Sequence, residues 1–180
     1  MGKRYEEITD QLRTWMEEQK VFFVATAPLS ADGHVNCSPK GLDSFRVLSP
    51  DEVVYQDLTG SGVETIAHLK ENGRIVIMFC AFEGPPKIVR LHGTGEVIEP
   101  GNPEYLQLTL HLPERLGTRA YIKVKVTRVS DSCGYAVPLY EFKKERDVLD
   151  KYALNLGSEG LKTYRATKNK ESIDGMSGLE

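Results

Sequence analysis

Apolar residues in this chain fall mainly into short runs and alternating stretches that predict β-strands. The stretch at 74–81 is apolar almost throughout, which indicates a buried strand, and the stretch at 119–129 alternates apolar and polar positions. Pro39 lacks an N–H group, so the strand that precedes it is expected to end or bend there. Gly93 is expected to mark a bulge. The predicted strands are 21–27, 34–38, 45–48, 52–57, 74–81, 87–98 and 119–129.

Helical spacing of apolar residues is confined to a few segments. Residues 4–19 form an amphipathic pattern, and 63–71 predicts a short helix that Asn72-Gly73 ends. A polar helical stretch is expected from 100 to about 112, and a further helix at 146–156. The fold class is therefore mainly β: an antiparallel barrel with peripheral helices. Residues 1–145 are assigned to this barrel, and 146–180 to a helix and arm that pack on the barrel or on a partner subunit.

Composition narrows the function classes. The chain has 180 residues and a net charge of -3, which argues against a nucleic-acid partner. Its three cysteines form no CxxC pair, and its four histidines have no metal-binding spacing, so no metal site is expected. No apolar run reaches the roughly 20 residues of a membrane helix. Reduced cysteines and the charged start of the chain favour a cytoplasmic protein.

The first candidate site is the end of the second predicted strand, at 36–41. Lys40 offers a mobile cation for a phosphate, and Ser38 a hydrogen-bonding hydroxyl. The alternative is that these residues form only a turn at the end of the strand, with Lys40 as a surface lysine.

The second candidate is a glycine-rich turn at 57–62 that precedes the helix at 63–71. Gly60 and Gly62 permit a tight backbone at a helix N-terminus, where an anion is stabilised. Thr59, Ser61 and Thr65 add hydroxyl donors. The spacing fits neither a P-loop nor a dinucleotide fingerprint, and a plain turn with a helix cap remains the alternative.

The third candidate is on the strand at 87–98. Arg90 and His92 share one face because side chains alternate along a strand. One interpretation is that they contact a cofactor across an interface. The alternative is that they are charged residues that protect an exposed sheet edge from aggregation.

These segments, in this order, resemble the pyridoxamine 5'-phosphate oxidase-related family of FMN-binding proteins. The resemblance lies in the runs FFVATAPLSADGHVNCSPKGL, VVYQDLTGSGVETIAHLKENGRIVIMF and VRLHGTGEVI, and covers roughly residues 18–130. It implies an FMN-binding split barrel that forms a homodimer, with the cofactor at the interface and the strand around Arg90 presented by the second subunit. It also implies that the flavin is lined by Asn36, Cys37, Ser38 and Lys40, and that its polar chain is held by Gln56, Asp57, Thr59, Ser61, Gly62 and Thr65.

The chain departs from the family pattern in two places. The oxidase has an Arg/Lys pair in its phosphate loop, where this chain has Ser61-Gly62-Val63. The arginine-rich C-terminal signature that holds pyridoxal phosphate is not evident, so vitamin B6 oxidation is not expected. The function expected is an FMN-dependent oxidoreductase that acts on an unknown small molecule. The alternatives are a non-catalytic flavin or haem module, a deazaflavin-dependent reductase and an interaction domain.

Overall fold

The computed structural model describes residues 2–179, which contain eight strands and four helices. In chain order these elements are β1 (Arg4–Tyr5), α1 (Asp10–Glu18), β2 (Phe22–Thr26), β3 (Asn36–Lys40), β4 (Phe45–Ser49), β5 (Glu52–Leu58), α2 (Glu64–Asn72), β6 (Arg74–Cys80), β7 (Ile88–Ile98), α3 (Tyr105–Leu108), β8 (Thr118–Ser132) and α4 (Val148–Lys168).

All strand pairs are antiparallel and form one eight-stranded sheet. Its order is β3-β2-β6-β7-β8-β5-β4, with the short β1 paired to β8. The sheet curls on itself, because the ring of Phe22 on β2 contacts Phe45 on β4 and Tyr55 on β5, at 5.5 and 5.7 Å between ring centroids. Strands from the two ends of the sheet therefore share one core. This confirms the prediction of a mainly β, antiparallel split barrel with peripheral helices.

The strands carry alternating side chains into that core. Every second residue of β2 is buried, and β8 shows the same alternation over part of its length. The register of β7 against β8 shifts between His92 and Gly93, where a Cβ at position 93 would collide with the carbonyl of Lys125. Glycine is therefore required at this bulge, as the sequence predicted.

Two predicted boundaries near the N-terminal half were wrong. The amphipathic helix begins at Asp10 rather than residue 4, because the Thr9 side chain accepts a hydrogen bond from Leu12 N and caps the helix. The second predicted strand continues through Pro39 to Lys40. Proline is tolerated because β3 lies at the edge of the sheet.

The prediction was also wrong for two helices in the C-terminal half. Only Tyr105–Leu108 is helical within 100–112. The last helix extends to Lys168, beyond the predicted end at 156, with non-helical backbone at Gly157. Leu161 is buried in this helix, and the segment that follows it returns to the barrel, where Lys70 Nζ donates to Gly178 O at 2.7 Å.

Candidate functional site

A buried carboxylate joins three distant parts of the chain. Asp57, on β5, is 0% exposed. Its Oδ1 accepts a hydrogen bond from Lys40 Nζ at 2.9 Å, and its Oδ2 accepts one from Arg119 Nε at 2.7 Å. Burial alone would raise the pKa of Asp57, but the charges of Lys40 and Arg119 outweigh it, so the pKa lies below its ordinary value.

One carboxylate between two cations leaves an excess positive charge. The Arg119 side chain is 4% exposed, whereas that of Lys40 is 19% exposed. The excess charge is therefore accessible on the lysine side. Lys40 Nζ also lies 5.9 Å from the centroid of the Tyr55 ring.

Next to this ion cluster, hydroxyl and amide groups form a second polar cluster. Asn36 Nδ2 donates to Thr65 Oγ1 at 2.9 Å and to Thr26 Oγ1 at 3.3 Å. Ser38 Oγ donates to Asn36 Oδ1 at 2.9 Å. Thr26 Oγ1 lies 2.9 Å from Nδ1 of the fully buried His68, and burial lowers the pKa of this histidine. Strand β3 and helix α2 thus present their polar groups to each other.

Two buried polar atoms in this region have no hydrogen-bond partner among the described residues. They are the hydroxyl of Tyr55 and Nε2 of His68. A buried polar atom without a partner has a desolvation cost of about 1–3 kcal/mol, so such atoms are expected where a ligand completes the structure.

The glycine loop, residues 59–62, is held from one side by the C-terminal segment. Arg165 Nε donates to Thr59 Oγ1 at 2.9 Å, and Asn169 Nδ2 donates to Gly60 O at 2.8 Å. Ser61 and Gly62 remain exposed at the start of α2. The loop therefore directs its carbonyl groups toward the C-terminal segment and leaves its second half open to solvent.

The structure brings together most of the residues that the sequence proposed. Asn36, Ser38 and Thr65 share one cluster, and Lys40 and Asp57 share the other. Thr59 lies at the glycine loop, where it also donates to Gly117 O at 2.8 Å.

Three other proposed residues lie away from these clusters. Cys37 is exposed on the opposite face of β3. Gln56 faces the other side of β5, where Nε2 donates to Pro113 O and to Thr118 Oγ1. Arg90, on β7, donates to Ser132 Oγ at 3.0 Å and contacts none of the residues above within the chain.

The sequence did not single out four side chains that complete the site. They are Thr26, His68, Arg119 and Arg165, and none of them has a distinguishing signal in the sequence. Arg119, for example, falls on the polar face of its alternating strand, with Lys123 and Lys125, and only the structure shows that it is buried and paired.

A pocket of about 620 Å³ opens beside Lys40. We call it the lysine pocket; its walls include Val21, Pro39, Leu42, Leu149 and Tyr152, together with Lys144 and Arg146. It combines apolar walls with a few charged groups, which is typical of small-molecule sites.

The described residues contain no group of three or more His, Cys, Asp or Glu side chains that could hold a metal ion. Within the same range, no helix is both long enough and apolar enough to cross a membrane.

With this geometry in place, a comparison with known families identifies the relatives of the chain. A family model described as pyridoxamine 5'-phosphate oxidase matches residues 8–133. The chain belongs to this family. Its resemblance to the family over residues 18–130, expected from the sequence, is confirmed.

One curated relative and several solved structures are similar to this chain. The pyridoxamine 5'-phosphate oxidase family protein UstO of Aspergillus flavus is 40% identical over 194 aligned positions, which cover 97% of this chain and 77% of UstO. Among solved structures, HupZ of group A Streptococcus has a TM-score of 0.52 at 24% identity, over 68% of this chain and 91% of HupZ. A candidate pyridoxamine 5'-phosphate oxidase from Lactobacillus delbrueckii has a TM-score of 0.54 at 19% identity, over 71% and 98% of the two chains. The structural similarities establish the fold.

Proposed function

We propose that this protein binds FMN non-covalently and acts as a flavin-dependent oxidoreductase on a small molecule. The observation that carries the proposal is the ion cluster around Asp57. Of its two cations, Lys40 is the more exposed, and it lines the lysine pocket. Such a cation favours an anionic group on the ligand, and the apolar walls of the lysine pocket favour an apolar part beside it. Family membership supports the same ligand class.

The residues present fit FMN. The hydroxyl of the buried Tyr55, whose ring centroid lies 5.9 Å from Lys40 Nζ, has no hydrogen-bond partner among the described residues. Ser61 and Gly62 offer exposed backbone at the N-terminus of α2, where a phosphate is favoured. The Glu64 carboxylate lies beside Gly62, so a phosphate there requires that side chain to move. Asn36 and Ser38 on β3 supply further hydrogen-bonding groups for the ligand.

Bound FMN supplies hydride or electron transfer, and the protein supplies binding, orientation and electrostatics. Lys40 stabilises negative charge on a bound ligand. Asp57 fixes the lysine in place, because its second oxygen is held by Arg119. Leu149 and Tyr152 supply apolar contacts in the lysine pocket.

We further propose a homodimer with the cofactor at the interface, located in the cytoplasm. Support comes from the outer face of the edge strand β3, where Val35 is 74% exposed and Cys37 and Pro39 face solvent beside it. An exposed apolar sheet edge is usually covered in folded proteins. The family resemblance implies that a partner subunit presents its strand β7, around Arg90, to the cofactor of the first subunit. The three cysteines are free, which agrees with a reducing compartment.

Titration with FMN tests the proposal. Purified protein is expected to show the visible absorption bands of bound flavin, and Lys40→Gln is expected to weaken FMN binding about tenfold because a charge-assisted contact is lost. The matched control is Lys125→Gln, a lysine that also pairs with an aspartate, Asp51, on the solvent side of the barrel. Its FMN affinity should equal that of the wild type.

A protein that stays colourless, and whose spectrum FMN does not change, would refute the proposal. Parallel titrations with haem and with a deazaflavin separate the alternative cofactors. Preferential binding of either one would reassign the site without changing the fold.

A further inference from the structure

A second pocket, of about 680 Å³, lies between α4 and the barrel. We call it the arginine pocket. The side chains that line it include four cations, Arg119, Lys162, Arg165 and Lys170, and two acids, Glu99 and Glu171. Glu99 is already paired with Lys70 at 2.8 Å. Arg119 is likewise paired with Asp57 at 2.7 Å. The three remaining cations and Glu171 give the lining an excess of two positive charges, in a chain whose net charge is -3.

Arg165 is the central residue of this pocket. Its Nε donates to Thr59 Oγ1 and one terminal nitrogen donates to Thr118 O, at 2.9 and 3.1 Å, so the guanidinium is fixed by neutral groups. Among residues 2–179, no carboxylate forms an ion pair with it. Burial lowers the pKa of Arg165, and the neighbouring Arg119 lowers it further. A half-buried guanidinium without a counter-ion is unfavourable unless an anion binds beside it.

The Arg119 side chain is held in one position in the wall of the pocket. This side chain is 4% exposed, and its guanidinium is held by Asp57 and by Gly60 O, at 2.7 and 3.3 Å. Two guanidinium groups therefore face one cavity, and both are oriented before any ligand arrives. Arginine is the side chain best suited to phosphate because its planar group donates two parallel hydrogen bonds.

We propose that the arginine pocket is a second ligand site, which binds a small organic molecule through a phosphate group. A phosphomonoester has nearly two negative charges at neutral pH, which matches the excess charge of the lining. Pro100, Ala166 and Leu179 supply apolar contacts for the rest of the molecule. The net negative charge of the chain favours a small molecule over a nucleic acid.

This site is separate from the proposed flavin site. Lys40 and Arg119 bind opposite oxygens of Asp57, and each lines a different pocket. The arginine pocket lies on the side of the glycine loop where Arg165 and Asn169 approach, whereas Ser61 and Gly62 are exposed. The proposal therefore does not depend on flavin binding.

Calorimetric titration with inorganic phosphate tests the proposal, with sodium chloride at the same ionic strength as the reference. We expect saturable binding of one phosphate per chain. Lys162→Gln removes an exposed cation that lines the pocket and should weaken phosphate binding about tenfold. Lys168→Gln is the matched control: it is also exposed on α4 but does not line the pocket, and it should bind as the wild type does.

A third variant tests the role of Arg165 while keeping its charge. Arg165→Lys loses the planar fork, so phosphate binding should weaken although the charge remains. Circular dichroism and the urea midpoint of each variant show whether it is folded.

Three results would overturn the proposal. They are the absence of saturable phosphate binding to the folded wild type, an equal loss in Lys162→Gln and Lys168→Gln, and displacement by FMN of the very phosphate whose binding Lys162→Gln weakens. The last result would assign the arginine pocket to the flavin phosphate. Failure of FMN to bind would leave the phosphate titration unaffected, so the two proposals fail independently.

Discussion

Asp57 is the residue on which the site depends most. It is fully buried, and both of its oxygens are used by cations that come from β3 and β8. A buried ion pair contributes only modestly to the stability of the fold, but removal of one partner leaves an uncompensated buried charge, which is costly. The carboxylate thus fixes the positions of Lys40 and Arg119 in the two pockets.

Asp57→Asn is expected to lower the free energy of unfolding by about 3–5 kcal/mol, because two cations lose their common partner in a buried site. Urea unfolding measures this change. Asp51→Asn, which removes the exposed partner of Lys125, serves as control and should leave the midpoint unchanged. Equal midpoints for Asp57→Asn and the wild type would contradict the role given to this carboxylate.

The stability difference between the wild type and Asp57→Asn is expected to depend on pH. The pKa of Asp57 is lower in the folded state than the ordinary value of 3.8. Its contribution is therefore complete above about pH 4 and is lost as the pH falls through the lower, folded-state pKa. The stability difference between the wild type and Asp57→Asn should be constant from pH 5 to 7 and shrink below pH 4.

At the scale of elements, the bulge in β7 sets the curvature of the barrel. The register against β8 shifts between His92 and Gly93, and the long strand continues on both sides of this shift. Bulges bend a strand and increase its twist, which a closing sheet requires.

Gly93→Ala is expected to destabilise the protein by at least about 2 kcal/mol, because the new methyl group collides with backbone that cannot move alone. Gly117→Ala is the control: its Cβ would lie 3.4 Å from the Cβ of Ala153, an ordinary contact. Thermal unfolding should separate the two variants by several degrees. A Gly93→Ala protein as stable as Gly117→Ala would show that the bulge tolerates a side chain.

The sequence predicted the strands better than the helices, for a physical reason. A strand with one buried face alternates visibly, so the strand at 119–129 was located within a few residues of Thr118–Ser132. Helix α4 has only Ala153 and Leu161 buried, and its kink at Gly157 was interpreted as its end. Local patterns contain little information about a helix that packs through so few side chains.

The site was predictable only where its residues are close in sequence. Lys40 and Thr65 were found because each follows a strand or a glycine turn. Arg119 pairs with Asp57 because β5 and β8 are neighbours, in a register that places Ala120 opposite Asp57. Arg165 reaches Thr59 across 106 positions. No local pattern specifies such contacts.

At the scale of the whole molecule, the sheet has two edges, at β3 and β4. The edge at β3 exposes Val35 on the same face as Cys37 and Pro39. This apolar face is the proposed dimer interface.

Val35→Glu is expected to dissociate the dimer, since it puts a charge on that apolar face. Sedimentation analysis should find the wild type at twice the 20.2 kDa of one chain, and the variant at 20.2 kDa. Leu110→Glu, at an apolar residue that is 85% exposed elsewhere, should sediment like the wild type. A wild-type protein that sediments as a single chain would remove the basis for a shared cofactor site.

The contacts of Arg165 and Asn169 with the glycine loop also impose an order of assembly during translation. The ribosome completes all eight strands by Ser132, before α4 has been made. A chain that ended there would contain Lys40, Asp57 and Arg119 but would lack Lys162, Arg165 and Lys170. The arginine pocket is therefore the last part of the protein to be completed. A chain that stops before α4 would also lack Leu149 and Tyr152, which α4 adds to the lysine pocket.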